Sequence, residues 1–427
     1  MQTITRRLLL SLLFLIPFLG RTRKPAADGA KSGTDYDTIV IGAGAAGLAA
    51  ARTLHDARHS VLLLEARDRL GGRINTNYDF APHPVECGAE YLQGENIVTW
   101  DWVRRYRLGT LPVFDEYQNQ FAYLNQKLLP FKDWSIIPGM EVLDVMDGSP
   151  IDELLTEWIE DGKPDVSLAK FLSIHQVELS PEVRRILDHF LSGSYGANLD
   201  RLGVYGLAEL TYVGDGDRYF RLKQGHSHLL EGFAAGLNIR YATPVTRIRW
   251  SSSGIQIQTD TNKTYTARQV IITLPLSLLQ ENAVAFEPEL PDAKLNAIQG
   301  LGVGHITKLI LKFDRPFWSD KLESCLTTLD TQLWWRTGWQ RNNEAPVLTA
   351  YTGATGADKL GKLGREGAIR AGLQDLEQMF EMPLAERLTD ALFVDWQTDP
   401  YARMAYSYVP VNGTGLLSQL AQPVDRV

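Results

Sequence analysis

Short apolar runs separated by turn residues define the first elements that the chain is expected to form. Tyr36–Ile41 (YDTIVI) and residues 60–66 (SVLLLEA) are nearly continuous apolar runs, a pattern typical of buried strands. From Ala45 onward an alanine-rich stretch predicts a helix, because alanine has the highest helix propensity. A strand, a helix and a second strand in this order predict an α/β fold.

Two further stretches have apolar residues at helical spacing. Residues 180–196 (SPEVRRILDHFLSGSYG) begin with Ser180 as the expected N-cap and Pro181 in the first turn. Residues 221–237 also carry an apolar face. The two faces consist of Val183, Ile186, Leu187 and Phe190 in the first stretch and of Leu229, Leu230, Phe233 and Leu237 in the second.

The stretch 304–313 (GHITKLILKF) alternates with the period of a β-strand. Lys308, Ile310 and Lys312 share one face, and the opposite face consists of Thr307, Leu309, Leu311 and Phe313. Because lysines are rarely buried, this pattern alone predicts that both lysines face solvent.

Composition and charge exclude several function classes. The 427 residues are 44% hydrophobic and 22% charged, which is typical of a soluble globular protein of two domains. A net charge of −8 without a basic stripe argues against nucleic-acid binding. Cys87 and Cys325 cannot form a disulfide framework, and no Cys/His spacing fits zinc. His226 and His228 lack an evident third ligand, so a loop or a helix start beside a glycine is the favoured interpretation.

The first 33 residues are predicted to be a signal peptide and linker. Arg6 and Arg7 precede an apolar run, Leu8–Leu19, that is too short to span a bilayer as a helix. The start resembles a twin-arginine signal, although the ordinary secretory route fits equally well. We therefore expect an exported protein, periplasmic or secreted, that contacts a membrane only through this signal or an uncleaved anchor.

A dinucleotide-binding motif connects the first strand to the first helix. Gly42, Gly44 and Gly47 form G-x-G-x-x-G, in which the glycines permit a tight turn, close approach of a pyrophosphate and close helix packing. Glu65 ends the second strand, where a carboxylate can accept the ribose hydroxyls and would repel a 2′-phosphate. The pattern predicts an adenine dinucleotide other than NADP.

The segment that follows resembles the second nucleotide motif of the flavin amine oxidases, a family of monoamine oxidases, polyamine oxidases and lysine-specific histone demethylases. Residues 65–73 (EARDRLGGR) carry the resemblance, and residues 85–94 (VECGAEYLQG) look like the family's loop beside the flavin. The resemblance implies non-covalently bound FAD in a Rossmann-like domain. The implied cofactor-binding residues are Gly42, Gly44, Ala46, Gly47, Glu65, Ala66, Arg67, Gly71, Gly72, Arg73, Gly88, Ala89, Glu90, Tyr91 and Val245.

The same resemblance assigns the candidate catalytic residues. Residues 302–318 are similar to the family's lysine-bearing strand, so Lys308 is expected to approach the flavin, whereas Lys312 keeps the solvent-exposed interpretation. Tyr406 lies in a segment that resembles the family's segment facing the flavin, and it is expected to form one wall of an aromatic substrate cage. Ala405 stands where monoamine oxidases have a flavin-linked cysteine, which implies non-covalent FAD. Gln93 is a candidate substrate residue whose neutral amide argues against polyamine specificity.

The resemblance also implies a domain organisation. Residues 34–95, 221–296 and 391–427 are expected to form the FAD domain, and residues 96–220 and 297–390 an α+β substrate domain interleaved with it. The family's last strand-and-turn and helix have no counterpart before Val427, so we expect the FAD domain to be incomplete at this end.

These expectations predict an FAD-dependent amine oxidase. A small-molecule amine would give a hydride to the flavin, the imine would be hydrolysed, and oxygen would accept the electrons and form hydrogen peroxide. Two alternatives remain open. One is another flavoenzyme, such as an L-amino-acid oxidase or a desaturase-like enzyme, and the other is a non-catalytic flavin-fold binding module.

Overall fold

The computed structural model describes residues 34–114, 117–130, 150–177, 179–210 and 218–425. The predicted signal peptide and linker, residues 1–33, lie outside the described residues. Strands in the described ranges, in chain order, are β1 Tyr36–Ile41, β2 Val61–Leu64, β3 Thr76–Asn77, β4 Val85–Glu86, β5 Leu92–Gln93, β6 Thr110–Val113, β7 Gln120–Leu124, β8 Lys127–Pro130, β9 Tyr219–Leu222, β10 Ile239–Arg240, β11 Val245–Ser251, β12 Gly254–Thr259, β13 Thr264–Ile272, β14 Ala285–Glu287, β15 Gly302–Val303, β16 Ile306–Phe313, β17 Ser324–Thr327, β18 Leu333–Arg336, β19 Val347–Gly353, β20 Leu388–Asp395 and β21 Ser407–Tyr408.

Helices alternate with these strands, and the longest, α10, is interrupted at Gly364, where the backbone leaves helical geometry. The α-helices are α1 Ala45–Asp56, α2 Thr99–Arg105, α3 Pro150–Glu160, α4 Leu168–Ile174, α5 Pro181–Tyr195, α6 Val204–Leu210, α7 His226–Ala234, α8 Leu276–Gln280, α9 Asp292–Gly300, α10 Ala354–Phe380 and α11 Leu416–Ala421. Within the described ranges no helix is long and apolar enough to cross a membrane.

The first seven-stranded sheet confirms the predicted α/β unit. Its order is β10-β2-β1-β13-β12-β11-β14, and β1 lies parallel to both β2 and β13. The apolar run of β1 is buried because neighbouring strands flank it and apolar side chains cover both of its faces. Helix α1 begins at Ala45, directly after the glycine turn, as the alanine-rich pattern predicts.

The second seven-stranded sheet has the order β20-β16-β19-β18-β17-β7-β8. It draws its strands from residues 120–130 and 306–395, so the predicted domain boundary between residues 390 and 391 falls inside β20. Strand β16 lies between β19 and β20 and is buried on both faces. This burial contradicts the prediction from strand alternation alone that Lys308 and Lys312 face solvent.

Lys308 is only 2% exposed. Lys312 is half-buried, and its Nζ donates to the Phe80 carbonyl oxygen at 3.0 Å. The expectation of a solvated Lys312 is therefore wrong, because residues before β4 cover the face that the alternation assigned to solvent.

Helix α5 forms as its local sequence predicts. The Ser180 hydroxyl accepts a hydrogen bond from the Val183 amide, Pro181 occupies the first turn, and Gly196 ends the helix in the left-handed conformation. Its apolar face packs into a cluster that includes Leu202 and Leu326. The helix thereby lies against the second sheet, with its C-terminal end near the segment that carries Tyr406.

Candidate active site

The first glycine turn leaves an open cradle between β1 and α1. Gly42 has φ +101°, and a Cβ there would lie 2.7 Å from the Thr273 hydroxyl. A Cβ on Gly47 would overlap the Gly42 carbonyl oxygen, so the helix can approach the turn only because this residue is glycine. At Gly44 the nearest atom to a Cβ is the Gly71 carbonyl oxygen at 3.8 Å, which leaves room for a ligand.

The second glycine motif is hydrogen-bonded onto the first. The Gly71 amide donates to the Ala43 carbonyl oxygen at 2.9 Å, and Gly44 and Gly71 form an isolated parallel bridge. Gly71 and Gly72 both have positive φ, at +102° and +57°. Two motifs that are separate in sequence therefore form one continuous surface of backbone.

Arg73 follows this surface and has no salt-bridge partner among the described side chains. Burial lowers the pKa of its guanidinium, and Tyr406 lies close enough to act on it electrostatically. The 85–94 loop packs against the same residue: the Ala89 amide donates to the Arg73 carbonyl oxygen at 3.2 Å, and a Cβ on Gly88 would overlap that oxygen. An arginine held in this way can receive an anionic group.

Glu65 lies buried at the end of β2, 3% exposed. One carboxylate oxygen accepts from the Ala43 amide at 2.7 Å and the other from the Arg67 amide at 2.8 Å. The Glu65 carbonyl oxygen accepts from the Thr243 amide, which brings the segment leading to Val245 to the same place. Ala66 is half-buried beside them, and Ala46 is exposed in the first turn of α1.

These groups fit the predicted adenine dinucleotide. The open glycine cradle at the N-terminus of α1 suits a pyrophosphate, and Glu65 supplies a fixed carboxylate for ribose hydroxyls. Arg73 supplies a cation that has no carboxylate partner in the described part of the chain. The structure thus brings four sequence segments together at one site: the first glycine turn, residues 65–73, residues 85–94 and the segment leading to Val245.

Lys308 extends from β16 into a buried polar cluster. Its Nζ donates to Glu90 Oε2 at 2.7 Å and to the Glu86 carbonyl oxygen at 3.0 Å. The ammonium also lies 5.2 Å from the centroid of the Trp335 ring. Glu86 and Glu90 flank Gly88, which packs against Arg73, so the lysine is joined through one short loop to the cofactor cradle.

Glu90 lies between two cations. Its other carboxylate oxygen accepts from Arg221 Nε at 2.8 Å and from Trp335 Nε1 at 3.1 Å. Burial alone would raise the pKa of Glu90, but Lys308 and Arg221 outweigh it and place the pKa below its ordinary value. The sequence predictions missed Arg221 and Trp335, although an arginine inside the apolar run of β9 is an unusual residue that could have directed attention there.

Aromatic side chains form a wall beside this cluster. Tyr351 and Tyr406 share a hydrogen bond of 2.7 Å between their hydroxyls, and the Tyr406 hydroxyl also donates to the Gly193 carbonyl oxygen. The Trp335 ring lies 5.7 Å from Tyr351 and 5.8 Å from Tyr91, measured between centroids. Burial raises the pKa of Tyr406 to about 12, so it stays a neutral hydrogen-bond donor near neutral pH.

Three other residues singled out in the sequence take different positions. Gln93 is exposed on β5, opposite Tyr219 of β9. Ala405 is buried and presents only a methyl group. Cys87 is buried in an apolar cluster, and burial raises the pKa of its thiol. Among the described residues no group of His, Cys, Asp or Glu side chains could hold a metal ion.

His305 precedes the lysine strand and joins three elements near Tyr406. Its ring nitrogens lie 2.8 Å from Asp358 on α10 and 2.8 Å from Asp395 on β20. Burial by itself would lower the pKa of His305, but the hydrogen bonds with Asp395 and Asp358 outweigh it and raise the pKa above its ordinary value. The neighbouring Gly304 amide donates to the Tyr406 carbonyl oxygen at 2.7 Å.

A raised histidine pKa makes stability depend on pH. The stability from His305 is fully present below about pH 6.5, the ordinary value for an unfolded histidine, and is lost as the pH rises through the raised folded pKa. In thermal unfolding scans from about pH 6 to 9, we expect the Tm of wild type to fall as the pH rises. The Tm of the His305→Gln variant should lack this decline. His228→Gln, at an exposed histidine, should keep the wild-type slope. An equal slope in the His305→Gln variant would contradict the assignment.

Comparison with known proteins shows similarity to one family over most of the chain. Residues 45–427 match the family described as flavin containing amine oxidoreductase. Probable polyamine oxidase 4 of Arabidopsis thaliana is 32% identical over 410 residues, covering 91% of this chain and 80% of that protein. Lysine-specific histone demethylase 2 of Homo sapiens is 28% identical, covering 88% of this chain and 48% of that protein.

Solved structures share the fold at lower identity. A putrescine oxidase double mutant superposes with a TM-score of 0.76 at 22% identity, covering 92% of both chains. Cyclohexylamine oxidase from Brevibacterium oxydans superposes with a TM-score of 0.74, also at 22% identity and 92% coverage of both chains. The fold therefore extends over nearly the whole chain.

Proposed function

The chain belongs to the family of flavin-containing amine oxidoreductases, and on that premise we propose that this FAD-dependent enzyme oxidises a small amine and returns the electrons to molecular oxygen. When bound, FAD supplies the redox chemistry: it accepts a hydride from the carbon next to the amine nitrogen, and its reoxidation by oxygen yields hydrogen peroxide. Hydrolysis of the imine product completes the proposed reaction.

The protein's own part is to hold the cofactor, to orient the substrate amine and to exclude water. The glycine cradle, Glu65 and Arg73 would hold the dinucleotide without a covalent bond, since Ala405 offers no nucleophile. Tyr406 and Tyr351 would form the aromatic face against which a substrate amine is oriented. Lys308, shielded from bulk solvent, would donate a proton or hydrogen bond where charge develops during reoxidation.

One observation supports this proposal above the others: Lys308 is buried, paired with Glu90 and connected to the cofactor cradle. Its ammonium donates to the Glu86 carbonyl oxygen, and the glycine two residues later packs on Arg73. A lysine whose only role was to stabilise the sheet would be unfavourable to bury. Removing a charged group from water costs several kcal/mol, which an ion pair must then offset. Its burial beside the cradle supports a catalytic role.

One observation favours an L-amino-acid oxidase as the second candidate. Arg221 is buried, and its Nη1 has no hydrogen-bond partner among the described residues. A free guanidinium N–H could receive the carboxylate of an amino acid. Its other nitrogens are engaged by Glu90 and Tyr91, so the amine oxidase remains the stronger proposal.

A substrate panel tests the proposal directly. Purified protein reconstituted with FAD should release hydrogen peroxide with simple amines, and cyclohexylamine, benzylamine, putrescine and spermidine cover the main classes. Peroxide from amino acids alone would favour the second candidate. Protein that binds FAD but oxidises neither class would contradict both proposals and favour a binding module. Denaturation should release the flavin into the supernatant, as non-covalent binding requires.

A further inference from the structure

Glu90 occupies an unusual electrostatic position beside the proposed catalytic lysine. The Glu90, Lys308 and Arg221 side chains are each 3–4% exposed, so the two cations and one carboxylate lie together away from solvent. Both carboxylate oxygens are engaged, one by Lys308 and the other by Arg221 and Trp335. Such an arrangement fixes the carboxylate from both sides.

The contacts of Lys308 leave its ammonium with one free hydrogen. A lysine ammonium has three N–H donors, and two of them point to Glu90 Oε2 and the Glu86 carbonyl oxygen. Among the described residues the third donor has no hydrogen-bond acceptor, and the Trp335 ring lies on one side of the group. Two fixed bonds therefore determine where the third N–H points.

The electrostatic contribution of Glu90 is equally specific. Without the negative charge of Glu90, Lys308 and Arg221 would lie in the same buried region with no anion between them. Like charges in a poorly solvated region disfavour the charged form of the group that can release a proton, and arginine does not release its proton in proteins. The Glu90 carboxylate therefore supplies the negative charge that lies between Lys308 and Arg221.

We propose that Glu90 is a positioning residue: held by Arg221 and Trp335, it fixes the position of Lys308 Nζ so that a single N–H is left without an acceptor among the described residues. This inference rests on the proposed function, in which that N–H serves flavin reoxidation. Glu90 therefore acts through the lysine, whereas the family resemblance suggested a cofactor-binding role for it.

Glu86 provides a matched control. It is also a buried carboxylate in the same loop, but its side chain accepts from the Thr76 hydroxyl and the His226 amide. Only its backbone carbonyl oxygen touches Lys308. Glu86→Gln and Glu90→Gln thus remove the same charge from neighbouring buried positions, and only the second removes the partner of the lysine.

The first measurement is the pH dependence of flavin reoxidation. FAD-loaded wild type, Glu90→Gln and Glu86→Gln would be reduced with dithionite and mixed with oxygen, so that no amine substrate is needed. In Glu90→Gln we expect the alkaline decline of the rate to move to lower pH by about 1–3 units. Glu86→Gln should keep the wild-type profile. An unshifted Glu90→Gln profile, or an equal shift in both variants, would overturn this proposal. Neither result would contradict the proposed function, amine oxidation.

The second measurement needs no catalysis. Thermal unfolding of Glu90→Gln, Lys308→Met and the double variant forms a double-mutant cycle. We expect Glu90→Gln alone to lower the Tm by about 5 °C and the added Lys308→Met to recover part of this loss, because the unpaired buried ammonium is gone. Additive losses would overturn the pairing. Should Glu90→Gln fail to fold, Glu90→Asp keeps the charge at a greater distance and should show a smaller shift in the same direction; no shift would overturn the proposal.

Discussion

The Lys308→Met variant should bind FAD and remain yellow, yet its reduced flavin should react with oxygen on the order of 10²-fold more slowly than in wild type. Methionine has a similar length but carries neither the charge nor the N–H that the ammonium directs toward the site. The fold should persist because Glu90 keeps its bonds to Arg221 and Trp335. Stopped-flow mixing of anaerobically reduced enzyme with oxygen measures the rate.

Lys312→Met is the matched control for this experiment. Lys312 lies four residues along the same strand and points to the same side, but within the described ranges its Nζ donates only to the Phe80 carbonyl oxygen. Its replacement should leave reoxidation at the wild-type rate. Equal rates in wild type and Lys308→Met would remove the lysine from the mechanism, and equal losses in both variants would indicate a general effect on the sheet.

The Gly47→Ala variant should lose FAD affinity by on the order of 10²-fold, the largest effect expected at the nucleotide end. The added Cβ would overlap the Gly42 carbonyl oxygen, so either helix α1 moves away from the turn or the cradle changes shape. Both outcomes displace the amides that would face the pyrophosphate. The ratio of flavin absorbance to protein absorbance after gel filtration, followed by titration with FAD, measures the loss.

Thr53→Ala tests whether any change on the same helix has this effect. Thr53 is exposed on α1, and its hydroxyl bonds only the Ala49 carbonyl oxygen within the helix. It should retain wild-type FAD content. Normal FAD affinity in Gly47→Ala would show that the first glycine turn does not hold the cofactor.

Features that depend on neighbours in sequence could be predicted well. Strand β1, the turn at Gly42 and helix α1 form where the apolar run, the glycines and the alanines indicate. Helix α5 begins at the predicted cap because Ser180 satisfies a backbone amide three residues away. In each case the residues that determine the element lie within the element or a few positions from it in the sequence.

Features that depend on topology could not be predicted. The alternation in β16 is that of a half-exposed strand, but β16 is central in its sheet, and residues before β4 cover the lysine-bearing face. The Glu90 carboxylate meets a lysine 218 positions away and an arginine 131 positions away. The arginine inside the apolar run of β9 is unusual, but the local patterns of β9 and β16 do not indicate which residues meet there. The family resemblance singled out Lys308 but neither Arg221 nor Trp335.

The pairing of β1 with β13 bears on how the protein is made. Thr38 lies opposite Gln269, so a strand that leaves the ribosome early must wait for its partner. At about 5–20 residues per second the delay is roughly 10–50 s, during which one edge of an apolar strand stays unpaired. We therefore expect recombinant yield of soluble protein to rise when translation is slowed by cooling or when chaperones that shield nascent chains are co-expressed.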